Sequence, residues 1–263
     1  MLPNHTRAVR LLGTAVVGAG LALAPLTAVP AQAAAEVEIN LLNFNDFHGR
    51  IASGTKTDPV DTVQFAGTIE KERAAYPNTL LLSAGDNIGA SLYNSAVAKD
   101  QPTIDVLNAL DVKASAVGNH EFDKGFEDLT QRVIGSGTRN AKWDYLGANV
   151  YKVGTKTPAL PEYSIQTVGG ITVGVIGAVT QETPTLVSSI GIKDITFGDP
   201  VEAVNRVAAQ LSDGDAANGE AQVLVAEYHE GAARSLPVPL ADQVAAGGAF
   251  AEIVNKTAAS VDA

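Results

Sequence analysis

Residues 40–51 read NLLNFNDFHGRI. An apolar run of the kind that fills a buried strand stops at Asn45-Asp46-Phe47-His48, where an acid and an imidazole stand two residues apart. Side chains at i and i+2 share one face of an extended segment, so Asp46 and His48 are predicted to reach a common point where the strand ends. The same event recurs along the chain. LLLSAGDN closes a second apolar run with Asp86 and Asn87, a third passes into Gly118-Asn119-His120-Glu121-Phe122-Asp123, and VLVAEYHEG closes with His229 before Gly231.

These runs set the architecture. Strands are expected over 37–44, 79–83, 114–117, 145–149, 171–179 and 223–228, and helices over 63–76, 102–110, 126–134, 200–211 and 241–258. Short Val/Ile/Leu-rich strands alternating with amphipathic stretches indicate a largely buried sheet flanked by helices, the α/β class. Pro102 and Pro200 suit first-turn positions, each after polar residues. Segment 149–164 is rich in turn formers and leads into a hairpin whose second strand is the 171–179 run. Gly174 and Gly177, inside that run, read as close packing rather than as a dinucleotide loop. Residues 213–220, DGDAANGE, share only composition with a calcium loop, lacking the glutamate expected at the end of a helix-loop-helix loop, where Leu224 stands.

The first 33 residues read as a secretory leader: Arg7 and Arg10, an apolar run from Leu11 to Ala24, then Ala31-Gln32-Ala33 as cleavage site. The protein is therefore expected to be exported, to the extracellular space or the cell envelope, with no transmembrane segment. Its net charge of −11 becomes −13 when Arg7 and Arg10 leave with the leader. So acidic a surface repels polyanions, which argues against a nucleic-acid polymer as partner while leaving room for a small phosphate ester at a bound cation. The absence of cysteine excludes disulfides, thiolate nucleophiles and thiolate metal sites.

Where parallel strands end, ligands gather. Outside the leader the chain has three histidines, His48, His120 and His229, and all three fall at predicted strand ends. Asp, Asn and His without thiolate suit divalent ions such as Zn, Mn or Mg. A carboxylate bridging two such ions would hold a water or hydroxide fit to attack phosphorus in line.

In order, N-D-x-H, G-D-N, G-N-H-E-F-D and a strand ending in H-x-G resemble the catalytic domain of the secreted 5′-nucleotidase and 2′,3′-cyclic phosphodiesterase branch of the binuclear, calcineurin-like metallophosphoesterases. The resemblance runs from about Glu36 to the end of the chain. It implies an αββα sandwich of two mixed sheets flanked by helices, and two divalent metal ions. Asp46 and His48 would bind the first ion, Asp86 would bridge both, and Asn119 and His229 would bind the second. His120 would face the phosphoryl group and Asp123 would orient it, with Asn87 and Arg50 as weaker phosphate contacts. The implied substrate is a small-molecule nucleotide. Family members add a Gly-His-x-His or Gly-His-x-Gln segment and a C-terminal specificity domain, neither of which occurs here, so residues 37–263 read as an incomplete catalytic domain. Two alternatives stay open: a secreted binding module, or an inactive fragment short of one protein ligand per metal, that keeps the fold without catalysis, and a family member acting on another ester such as a UDP-sugar. Oligomeric state is not legible.

Overall fold

The computed structural model describes residues 36–52, 61–232 and 238–263; the leader assigned to residues 1–33 lies outside them. In chain order the elements are β1 Asn40–Phe44, α1 Thr62–Ala75, β2 Thr79–Ser83, α2 Tyr93–Ala96, α3 Gln101–Ala109, β3 Ala114–Ala116, α4 Phe126–Asp128, β4 Asp144–Leu146, β5 Val150–Lys152, β6 Tyr163–Val168, β7 Ile171–Val179, α5 Thr183–Leu186, β8 Ile195–Phe197, α6 Pro200–Gln210, β9 Val223–His229, α7 Leu240–Ala245 and α8 Ala249–Lys256. A 3-10 turn covers His120–Phe122, and α4 runs on as a π-helical segment, Leu129–Gly135.

β1, β2, β3 and β4 pair in that order, all parallel. β6, β7 and β9 form a mixed sheet, β6 antiparallel and β9 parallel to β7, and β5 pairs with β8 in a two-stranded antiparallel ribbon. Alternation along the strands assembles the layers. In β2, Leu81 joins Ile69 of α1 and Ile104 and Leu107 of α3 in one buried cluster. Its neighbours Leu80 and Leu82 face the other way and pack with Val173, Val175 and Val225 of the mixed sheet. Ile176 and Ala178 of β7 in turn pack beneath Val204, Val207 and Leu211. Helices, sheet, sheet, helix: this is the αββα sandwich.

The sheets approach closely at Gly177, where a Cβ would lie 2.9 Å from Ala116 Cα and 2.6 Å from Leu146 Cβ. The glycine pair in β7 is thus a packing device, at least at this position. Three strands departed from the sequence expectation. β5 and β8 are three residues each, too short to show a period, and the expected strand 145–149 ends early, at Leu146 in β4, with a turn over 147–149 leading into β5 of a separate ribbon. The single helix expected over 241–258 is two, broken at Gly247 and Gly248 with φ of +74° and +82°, a conformation that ends a right-handed helix.

Candidate metal centre

The site is built by loops that prolong the parallel ladder past its strands. Ala84 N–H donates to Phe44 O at 2.9 Å, Asp46 N–H to Gly85 O at 3.0 Å, His48 N–H to Asp86 O at 3.0 Å and Gly49 N–H to Asn87 O at 3.1 Å. Asp46, His48 and Asp86 all take left-handed backbone conformations, with φ of 54°, 48° and 55°. Such conformations cost free energy in residues with a Cβ and persist where the surroundings over-determine them.

What over-determines the Asp86 loop is Glu121, to which the sequence reading assigns no role. Glu121 is buried, and its carboxylate accepts the backbone N–H of Gly118 at 2.6 Å, Asp86 at 2.8 Å and Asn87 at 2.9 Å, and the Tyr145 hydroxyl at 3.3 Å. One side chain thereby clamps the loops after β2 and β3 together. Burial, then the charge of Asp86, push its pKa up to about 7, against the N–H donors of Gly118 and Asp86. Gly118 is required there, since a Cβ would lie 2.1 Å from Asp86 Oδ1. The signal available beforehand was the place of Glu121 between two named site residues.

Asp86 is the centre of the arrangement. Its Oδ1 accepts the His120 N–H at 2.8 Å, and its Oδ2 lies 3.2 Å from His229 Nε2 and 3.7 Å from His48 Nε2. The two imidazoles are oriented alike: His48 Nδ1 bonds Gly89 O and His229 Nδ1 bonds Ala84 O, each at 2.9 Å. A carbonyl accepts only, so each Nδ1 donates and each Nε2 is turned toward Asp86, the orientation from which an imidazole binds a metal once Nε2 gives up its proton. Asp46 Oδ1 lies 3.3 Å from His48 Nε2.

Two triads result, Asp46–Asp86–His229 and His48–Asp86–His120, each with its potential ligand atoms within 4.8 Å of one another, and Asp86 belongs to both. The resemblance divides the groups differently, Asp46 with His48 and Asn119 with His229. The short Asp46–His48 separation is compatible with either division. Asn119 is half-buried, directly before His120, and its carbonyl accepts Phe122 N–H at 3.1 Å. Asn87 is turned inward, its amide held between Ser83 Oγ and Ser115 Oγ at 2.8 Å each. Arg50 closes the turn after His48, donating its N–H to Phe47 O at 3.0 Å and accepting Thr62 Oγ1 at the head of α1.

Without a cation the cluster holds protons. Burial opposes the charged form of His229, but the hydrogen bond and charge of Asp86 outweigh it and raise its pKa to about 9, while His229 in turn holds Asp86 below its usual value against burial. The donor set therefore fits divalent cations, which would take the place of that proton. His120 donates from Nδ1 to Asp123 at 2.9 Å and packs edge-on against His48, ring centroids 5.0 Å apart. Burial lowers its basicity, yet the Asp123 bond and the charges of Asp86 and Asp123 raise its pKa overall.

No family model matches the chain. Among individual proteins, it is 34% identical over 192 residues to endonuclease YhcR of Bacillus subtilis, covering 66% of this chain and 16% of that protein. It is 32% identical over 180 residues to the 5′-nucleotidase of Rattus norvegicus, covering 64% of this chain and 30% of the relative. The chain thus spans less than a third of either relative. The solved calcineurin-like phosphoesterase YfkN of Bacillus subtilis superposes with a TM-score of 0.61 at 24% identity, over 80% of this chain and 68% of that one, a likeness of fold. Sandwich, strand-end motifs and relatives agree: the chain belongs to the 5′-nucleotidase and calcineurin-like metallophosphoesterase family.

Proposed function

We propose that the chain carries the hydrolytic machinery of a cation-dependent phosphoesterase acting on small extracellular nucleotides, with a 5′-nucleotide as the favoured substrate and a 2′,3′-cyclic nucleotide as a second. The observation that carries this reading is the sharing of Asp86 between two potential ligand triads, with the His120 backbone N–H bonded to Asp86 Oδ1. Asp46, His48, Asp86, Asn119 and His229 would hold two divalent cations, which supply Lewis acidity and make water nucleophilic near neutral pH. His120 is placed beside the cluster and braced by Asp123, so it can give a proton to the leaving oxygen as the P–O bond breaks. Export is supported by relatives named a cell wall protein in Listeria monocytogenes and a snake venom 5′-nucleotidase in Naja atra, 33% and 31% identical. No helix among the described residues is long and apolar enough to cross a membrane.

The test is phosphate release from AMP by the full chain with Mn2+, with and without EDTA, beside calorimetric titration of Mn2+ itself. Chelator-sensitive release, lowered by about 10² or more in His120→Ala, is expected. Release indifferent to EDTA would overturn the reading. Absence of Mn2+ binding would favour the non-catalytic module, and preference for a UDP-sugar over AMP would move the substrate within the same chemistry.

A further inference from the structure

Behind His120 lies a narrow cavity lined, besides the amide-held Glu121, by three further carboxylates, Asp100, Asp123 and Asp128, and by three basic side chains, His120, Lys124 and Arg132. They are sorted into fixed couples. Arg132 pairs with Asp128 through Nε at 2.7 Å and Nη2 at 2.5 Å, Lys124 Nζ reaches Asp100 at 3.3 Å, and His120 holds Asp123. The sorting is not dictated by sequence distance, because Lys124 is the chain neighbour of Asp123 yet reaches back 24 residues to Asp100.

Asp100 is placed in an unusual way to do this. It precedes α3, where an aspartate ordinarily accepts the first amides of the helix, but its φ is +64° and its side chain makes no cap bond. The carboxylate is buried instead, 3% exposed, accepting Ser95 Oγ at 3.0 Å, and that hydroxyl in turn contacts Thr103 Oγ1 at 2.7 Å. Burial alone would raise its pKa, but hydrogen bonds from Ser91 and Ser95 and the charge of Lys124 hold it below the usual carboxylate range. A left-handed backbone and a forgone cap both cost stability, and what they secure is a buried anion aimed at Lys124.

We propose that Asp100 is a positioning residue: by holding the Lys124 ammonium it keeps that cation off the adjacent Asp123, so that the Asp123 carboxylate is left to orient His120. With Asp100 neutral, Lys124 is released beside a half-exposed carboxylate and competes with the imidazole for it. The proposal deepens the reading given above and rests on its assignment of His120 and Asp123.

The experiment uses the full chain as Asp100→Asn, Lys124→Met and the double variant, with folding checked by near-ultraviolet circular dichroism. The first readout is the His120 Nδ1–H resonance of the cation-free chain at one pH, which lies downfield while the proton is held by a carboxylate. The second is kcat and KM for p-nitrophenyl phosphate with Mn2+. Asp100→Asn is expected to lose the downfield resonance and to lower kcat about tenfold, a fraction of what a positioned acid contributes, with KM within about twofold. The double variant is expected to recover both, since the competing amine is gone. Equal loss in the single and double variants, both folded, would make Asp100 a mere structural support and overturn the proposal, as would an unchanged Asp100→Asn. If neither Asp100 variant folds, Lys124→Met decides: an intact resonance supports the proposal, and its loss overturns it by making the amine a direct participant. A wild-type chain inert toward the ester would count against the proposed function, while the resonance would still decide this inference.

Discussion

Two helices of this protein begin alike in sequence and differently in space. Asp199 precedes Pro200, and its Oδ1 accepts the N–H of Val201 at 2.8 Å and of Glu202 at 3.0 Å, closing the head of α6. Asp100 precedes Gln101-Pro102 at the head of α3, but its carboxylate turns away from the helix into a polar network. The difference is one of location. α6 lies on the mixed sheet behind Ile176 and Ala178, and there the aspartate follows the local rule and caps the helix. α3 begins beside the cavity behind His120, where a tertiary demand for a buried anion wins. Local chemistry decides geometry only where nothing functional competes for the same atom.

The largest expected effect separates the two aspartates by pH. The folded-state pKa of Asp100 lies below its unfolded value near 3.9, so its ionised form contributes stability above about pH 4 that is lost as pH falls through the folded-state value. Asp100→Asn should cost about 2 kcal/mol at pH 7, where hydrogen bonds to a buried charge are lost. Urea melts repeated downward in pH should show the gap to wild type closing below about pH 4. A gap that stays constant with pH would show that the asparagine fails for reasons of shape rather than charge.

Asp199→Ala should cost less, about 1 kcal/mol, the usual worth of a helix cap. Its signature is confinement: amide exchange should quicken at the first turn of α6, while Mn2+ binding stays at the wild-type level. Altered cation binding in this variant would mean that α6 communicates with the centre through β7, and the contrast between the two heads would weaken.

Much of the centre was legible because histidine is scarce and strand ends are few. Asp46, His48, Asp86, His120 and His229 fall after apolar runs, and the structure brings the other four side chains around the Asp86 carboxylate. Glu121 and Asp100 were hidden for a common reason: each acts through backbone amides, hydroxyls or an amine far away in the chain, and such partners leave no period or spacing to read. Pro102 and Pro200 follow polar residues alike in sequence, and only the fold distinguishes the aspartate that caps its helix from the one that does not. The fold was legible in its long elements. It was lost in three-residue strands and at Gly247-Gly248, where a helical pattern continues in sequence but the backbone reverses hand.

The smallest effect carries the opposite sign. Asp46 is 46% exposed, with φ of +54°, and its backbone N–H is held by Gly85 O whatever side chain it bears. Glycine adopts that conformation without the Cβ conflict, so Asp46→Gly should leave the melting midpoint unchanged or raise stability by about 0.5–1 kcal/mol. The same change deletes a carboxylate from one triad, and Mn2+ affinity should fall by about tenfold or more. A carboxylate whose removal steadies the chain without cation would be one held in place for an ion rather than for the fold, the opposite balance to Asp100, whose buried charge also supports the fold. Thermal melts of Asp46→Gly with EDTA, compared with Mn2+ titrations of the same preparation, measure the two halves separately. If the variant is destabilised by more than about 1 kcal/mol without cation, the left-handed aspartate is supporting the loop, and the division between capping and site-building residues would have to be redrawn.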